Sequence, residues 1–230
     1  MDTYLLSKGA FKICTLINMP EAKWTLKKKF PKVFFLPHMK QDEFLLFKKI
    51  CERNHTFLEY GSGGSTIHLL KKGKRVFSVE SNPEFFQYMS SINLVKANMN
   101  ENLIYRFIDL GPTNQWGKPT SQETAPLWEN YYAKIWQEID PAKDKVDAIF
   151  IDGRFRVCCC LYSISKIIDF GWNDTTFVIH DFWRRKKYHV LLDFLKVEKS
   201  ASDLAVFRLK KAVNIREIRE KIEDYALSTA

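Results

Sequence analysis

No run of apolar residues in the 230 positions approaches the ~18 that a membrane-spanning helix requires. A secretory leader is not indicated either: Lys8 and Lys12 interrupt the one apolar stretch near the start, and no small-residue cleavage site follows. The expected location is the cytoplasm. Paired cysteine spacings are also missing. Of five cysteines, Cys14 and Cys51 stand alone and Cys158, Cys159 and Cys160 are consecutive. Zinc sites use spacings such as C-x2-C that let thiolates converge, whereas three adjacent helical residues fan out around the axis. The cysteines therefore read as small buried hydrophobes in a reducing compartment. Internal repeats and low-complexity segments are absent, and disorder is excluded by a hydrophobic content of 46% with 14% aromatics. Charge is not balanced. The net value is +9, with clusters at Lys27-Lys28-Lys29, Arg184-Arg185-Lys186-Lys187 and Lys210-Lys211. Such an excess suits an acidic partner, or serves solubility alone.

Residues 1–40 show no clear period and read as an N-terminal extension; 41–212 read as one catalytic-type domain and 213–230 as a C-terminal helix. Phe44, Leu45, Phe47 and Ile50 have helical spacing within Gln41 to Arg53. Strands and helices then alternate: strand Thr56 to Tyr60, helix Ser65 to Lys71, strand Arg75 to Glu80, helix Pro83 to Ser91. Further strands are expected at Leu103 to Ile108, Val146 to Asp152 and Thr175 to Asp181. After a helix from Arg184 to about Leu195, a Ser-Ala-Ser-Asp turn before Leu204 to Leu209 signals a hairpin. Alternation of this kind predicts an α/β fold: a Rossmann-like, doubly wound, mostly parallel sheet of about seven strands, the last antiparallel, with helices on both faces.

The motif FLEYGSGGST puts a glycine-rich turn between strand and helix, where backbone N–H groups face a ligand. Glu80 closes the next strand, 19 positions after Gly61, and suits the two hydroxyls of a ribose. A dinucleotide fingerprint G-x-G-x-x-G would need glycine where Thr66 stands. Glu59 lies two residues before the turn; its anion would repel a pyrophosphate but suits a sulfonium and an ammonium. The electrostatics favour S-adenosyl-L-methionine over NAD.

The stretches FLEYGSGGST, VFSVESN, VDAIFIDGRFR and FVIHDFW together resemble class I, Rossmann-like S-adenosylmethionine-dependent methyltransferases. The stretches Asp109 to Thr113, Trp116 to Pro119 and Asp152 to Arg156 resemble a narrower bacterial methyltransferase-like group of uncertain substrate. The resemblance covers roughly residues 42–210. It implies cofactor roles for Glu59, Gly61, Gly63 and Glu80, with Ser62, Gly64 and Ser65 lining the turn and Asp109 near the adenine.

Ligands of open α/β sheets bind outside the carboxyl ends of the strands, where Asp152, His180 and Asp181 fall. Strand alternation predicts that only one of His180 and Asp181 enters the site. These are the candidate catalytic residues, with His180 or an aspartate as general base. The pair Asp152 and Asp181 is also similar to the acids of metal-dependent O-methyltransferases, but Phe182 stands where those enzymes carry a third ligand. A divalent metal is therefore not favoured. Arg154, Arg156, Arg184 and Trp116 are candidate acceptor contacts, the cations suggesting a phosphate or carboxylate. Gly111 to Pro119 is expected to overhang the cofactor, while Trp128, Tyr132, Ile135 and Trp136 are expected to pack on the sheet. The reading is O-methylation of a small or glycan-type acceptor, which can be anionic or phosphorylated. The alternatives are a nucleic-acid methyltransferase, disfavoured by the lack of an N-P-P-Y-like motif, and a non-catalytic binding module. Oligomeric state is not legible.

Overall fold

A computed structural model describes residues 36–229; most of the expected N-terminal extension, with Lys27 to Lys29 and Cys14, lies outside the described residues. Gln41–Arg53 forms α1, opened by Asp42 and Glu43, whose charges suit the positive end of the helix. The core then builds as β1 (Thr56–Tyr60), α2 (Gly64–Lys71), β2 (Arg75–Glu80), α3 (Pro83–Ser90), α4 (Asn93–Asn98) and β3 (Leu103–Phe107). Short 3₁₀ turns and α5 (Glu129–Ala133) lead to β4 (Ala148–Ile151), α6 (Arg156–Asp169) and β5 (Thr176–Ile179). The hairpin of β6 (Leu195–Ala201) and β7 (Leu204–Leu209) and the helix α7 (Ile215–Tyr225) complete the described chain.

The seven strands form one sheet in the order β3-β2-β1-β4-β5-β7-β6. The first five are parallel, and β7 runs antiparallel to both β5 and β6. Alternation along each strand feeds two cores. Phe57, Val76, Ala148, Phe150, Val178 and Val206 face α1 and α2. Leu58, Tyr60, Phe77, Ile149, Ile151, Phe177 and Phe207 face α5, α6 and α7. Each fully buried Phe, Ile or Leu contributes about 1.5–3 kcal/mol of hydrophobic stabilisation. The expected packing of the aromatic segment holds: Trp128, Tyr132, Ile135 and Trp136 are buried against the sheet. Tyr60 Oη accepts from Trp136 Nε1 at 2.8 Å and donates to the Tyr132 carbonyl at 3.0 Å.

The first half of helix α6, Arg156 to Leu161, is buried all round, which explains its three cysteines. Cys158, Cys159 and Cys160 are free and fully buried, as is Cys51. Burial pushes the Cys158 thiol up to about 12, and the other two thiols rise with it. Helix α7, capped by Asn214 Oδ1 accepting from the Arg216 N–H at 2.9 Å, packs Ile218 into the same core. No helix among the described residues is long and apolar enough to cross a membrane.

One predicted element changes type. The segment after β5 is a 3₁₀ run, Lys186–Asp193, rather than an α-helix from Arg184 to Leu195. Its buried residues Tyr188, Leu191 and Phe194 recur every third position, the period of a 3₁₀ helix, so the tighter winding aligns all three on the core.

Candidate active site

The glycine turn follows β1 at the carboxyl edge of the sheet. Gly61 has a φ of 92°, and a Cβ there would lie 2.7 Å from the Gly153 Cα, so the turns after β1 and β4 touch through backbone alone. Gly64 is equally confined, since a Cβ would meet the Leu36 carbonyl carbon at 2.3 Å. Thr66 Oγ1 accepts from the Gly63 N–H at 2.9 Å and donates to Glu59 Oε2, which also accepts from Ser78 Oγ at 2.8 Å. Glu59 therefore lies beneath the turn and shapes it from below. It is fully buried, and its Oε1 has no hydrogen-bond partner among the described residues. Burial drives its carboxyl up to about 7, partly offset by the hydroxyls of Ser65, Thr66 and Ser78.

Glu80 ends β2 facing the same turn. One carboxylate oxygen accepts from the Ser81 and Asn82 N–H groups at 2.8 and 2.9 Å, the other from Ser62 Oγ at 3.0 Å. Burial raises its pKa despite these bonds. Tyr105, absent from the sequence-derived set, completes the group with its hydroxyl 2.7 Å from Ser62 Oγ. The Gly111 to Pro119 loop overhangs this edge as expected, with Ser81 Oγ donating to the Gly117 carbonyl at 3.0 Å. Trp116 projects from that loop at 75% exposure, its ring 6.3 Å from His38. Asp109 is exposed and accepts from the Gly111 N–H at 2.8 Å, holding the start of the loop.

The structure brings Asp152, His180 and Asp181 together, with one ligand-type atom of each inside 4.8 Å. Both His180 and Asp181 enter the cluster, against the alternation rule. The reason is that β5 ends at Ile179 and Asp181 takes a φ of 60°, so the strand period no longer applies. His180 Nδ1 lies 3.0 Å from Asp152 Oδ1, and Nε2 lies 3.4 Å from Glu43 Oε2. Both ring nitrogens thus face carboxylates. Burial lowers the His180 pKa, but the Asp152 bond and the charges of Asp152 and Asp181 outweigh it, and the net direction is upward.

Glu43 is the residue most clearly missed by sequence reasoning. It is 1% exposed and accepts from the N–H groups of Lys40 and Asp203 at 2.6 and 2.9 Å, pinning α1 and the β6–β7 loop to the cluster. A carboxylate in the first turn of a helix is ordinary capping chemistry, and nothing local announces a partner 137 residues away.

Arg156 lies between the acids. Its guanidinium meets Asp152 Oδ1 at 3.0 Å and Asp181 Oδ2 at 3.4 Å, and it donates to the carbonyls of Asp152, Gly153 and His180. Arg184 and Arg185 also pair with Asp181. Burial would raise the carboxyls of Asp152 and Asp181. For Asp152 the charge of Arg156 and the His180 bond prevail, and for Asp181 the Arg184 bond and the charge of Arg156; both end below the usual range. The donor set could serve a divalent ion, but the Arg156 guanidinium already bridges two of its three members and is itself fixed by three carbonyls. The residues present do not fit a metal. A polar cavity of about 450 Å³ lined by Arg53, Asp147, Asp174 and Arg208 opens at the opposite, amino end of β4 and β5, away from this chemistry.

An acid closing β2 beside a cramped glycine turn, on a 3-2-1-4-5-7-6 sheet, is the arrangement of class I, Rossmann-like S-adenosylmethionine-dependent methyltransferases, and the chain has that fold. Among solved structures, the chain is 26% identical to a methyltransferase-like protein from Silicibacter pomeroyi, with a TM-score of 0.70 over 84% of this chain and 99% of that one. It also shares its fold with the S-adenosylhomocysteine-bound methyltransferase PaMTH1 of Podospora anserina, at 13% identity and a TM-score of 0.50, over 83% and 87% of the two chains. No family model and no curated protein matches the chain.

Proposed function

We propose that the protein transfers a methyl group to a hydroxyl oxygen of a small or glycan-type acceptor, with Asp152 meeting that hydroxyl. The observation that carries this reading is the exposure gradient in the buried charge cluster. Asp152 keeps 27% of its side chain exposed, while Asp181, His180 and Glu43 behind it keep 7%, 9% and 2%. Bound S-adenosylmethionine would supply an electrophilic methyl on a cationic sulfur. Glu80 would hold the ribose, and Glu59 Oε1 offers a buried acceptor beneath the turn for a cationic group. Asp152 would accept the hydroxyl proton as the new C–O bond forms and the methyl–sulfur bond breaks, with S-adenosylhomocysteine as the leaving group. His180, held between Asp152 and Glu43, keeps that carboxylate oriented.

The test is product formation. Purified protein with S-adenosylmethionine and a panel of hydroxyl-bearing sugars, phenols and their phosphates should release S-adenosylhomocysteine, and Glu80→Ala should weaken cofactor affinity by about 10- to 100-fold, the worth of one or two charged hydrogen bonds. Equal calorimetric affinity of that variant and the parent, or no release with any acceptor, refutes the reading.

A further inference from the structure

Several arginines of this protein have carboxylate partners: Arg75, Arg106, Arg156, Arg184 and Arg208 each form an ion pair. Arg154 behaves differently. It sits half-buried in the turn between β4 and α6, and its Nε is buried with no hydrogen-bond partner among the described residues. The Nε of Arg185 is in the same condition, although that residue also reaches Asp181 at 3.5 Å. Leaving a guanidinium N–H dry and unpaired is costly, and one of the two arginines lies against a buried ring, Tyr188. The Arg185 guanidinium lies 6.0 Å from the Tyr188 ring centroid, and the charge of Arg154 acts on the same phenol.

Two lysines extend the cluster. Lys187 follows Arg185 at the start of the 3₁₀ run, and Lys118 comes from the loop that overhangs Glu80. Burial and then the charges of Arg185, Lys118 and Arg154 lower the Lys187 pKa, and the charges acting on it are all positive. Three separate loops at the carboxyl edge of the sheet thus carry cations whose charges act on one another. This group borders Asp152 on one side and Glu80 on the other, since Arg154 acts electrostatically on both acid neighbours.

We propose that Arg154, Arg185, Lys187 and Lys118 form the seat of a phosphate or carboxylate carried by the methyl acceptor. The inference rests on the reading that the acceptor hydroxyl meets Asp152. It also revises which cations carry such a role: Arg156 and Arg184 are engaged by Asp152 and Asp181, whereas Arg185, which touches Asp181 at 3.5 Å, still keeps a buried Nε unsatisfied among the described residues. Arginine forks match the oxygens of phosphate and carboxylate, and the lysines add point charge at the rim. A carboxylate exists on the cofactor as well, so the experiment separates the two sources.

Inorganic phosphate is titrated calorimetrically, at fixed ionic strength, into the full chain saturated with S-adenosylhomocysteine. Saturable binding is expected, weakened at least tenfold by Arg154→Gln and by the double variant Arg185→Gln/Lys187→Gln, with S-adenosylhomocysteine affinity unchanged within about twofold. Lys210→Gln/Lys211→Gln, beside the strand end that pairs with the start of β5, should leave phosphate binding intact. Absence of saturation, equal phosphate affinity in all variants, or equal weakening by the control pair overturns the proposal. So does a tenfold loss of S-adenosylhomocysteine affinity in Arg154→Gln with phosphate binding preserved, which assigns that cation to the cofactor. If the parent fails to bind S-adenosylhomocysteine, the methyl-transfer reading falls, and the same titration without it still decides whether the seat exists.

Discussion

Replacing Glu59 by glutamine should make the protein more stable at high pH and leave it nearly unchanged at low pH. The folded chain holds the Glu59 proton up to about pH 7, against an ordinary value of 4.5 for an exposed glutamate. The unfolded chain therefore releases this proton first, and folding stability falls as pH rises from 4.5 through about 7. Each pH unit of displacement is worth about 1.4 kcal/mol, so above pH 7 the parent carries a penalty of about 3 kcal/mol from this one group. Glutamine keeps an acceptor for Thr66 Oγ1 and Ser78 Oγ and has nothing to ionise. Urea unfolding of parent and Glu59→Gln at pH 5 and pH 8 isolates the effect, because every other titrating group is common to both. The stability difference should widen by about 2–3 kcal/mol between the two conditions. If it stays constant, Glu59 does not titrate as argued, and its burial beneath the turn carries no electrostatic cost. The same variant should lose the rise in S-adenosylmethionine affinity that the parent shows above pH 7, where an ionised Glu59 can meet a cation.

Exhaustive chelation should leave turnover intact, since Arg156 already neutralises the acids a metal would use; loss of activity restored by Mg²⁺ or Mn²⁺ refutes the metal-free scheme. In the same assay Asp152→Asn should abolish most turnover while sparing calorimetric cofactor affinity, and His180→Ala should lower kcat with a smaller change in KM. Arg156→Met should destabilise the fold by about 3–5 kcal/mol, because it removes the cation shared by Asp152 and Asp181 and the donor to the carbonyls of Asp152, Gly153 and His180; a melting temperature equal to the parent's rejects that account.

Local chemistry made much of this molecule readable. The strands β1, β2 and β4 announce themselves as short apolar runs, and the turn after β1 needs glycine for reasons a sequence displays. The hairpin of β6 and β7 was equally plain from its polar turn. What stayed hidden depends on long-range or conformational facts. Glu43 acts only because α1 folds back onto the end of β5. Asp181 joins His180 because one residue adopts a left-handed backbone, which no period reveals. Of the three arginines singled out in the sequence, Arg154, Arg156 and Arg184, the last two turned out to be occupied, because pairing depends on which acids lie nearby in space. Helical type after β5 was misjudged for a related reason: apolar residues at every third position fit both helix kinds over a short segment.

The contact between Gly61 and Gly153 joins two otherwise independent pieces of machinery. With main chain resting on main chain, the glycine turn after β1 and the turn that follows Asp152 share one tight joint. On the proposed reading, the spacing between methyl donor and acceptor would then be set by the backbone, and the choice of acceptor by the side chains hung around it.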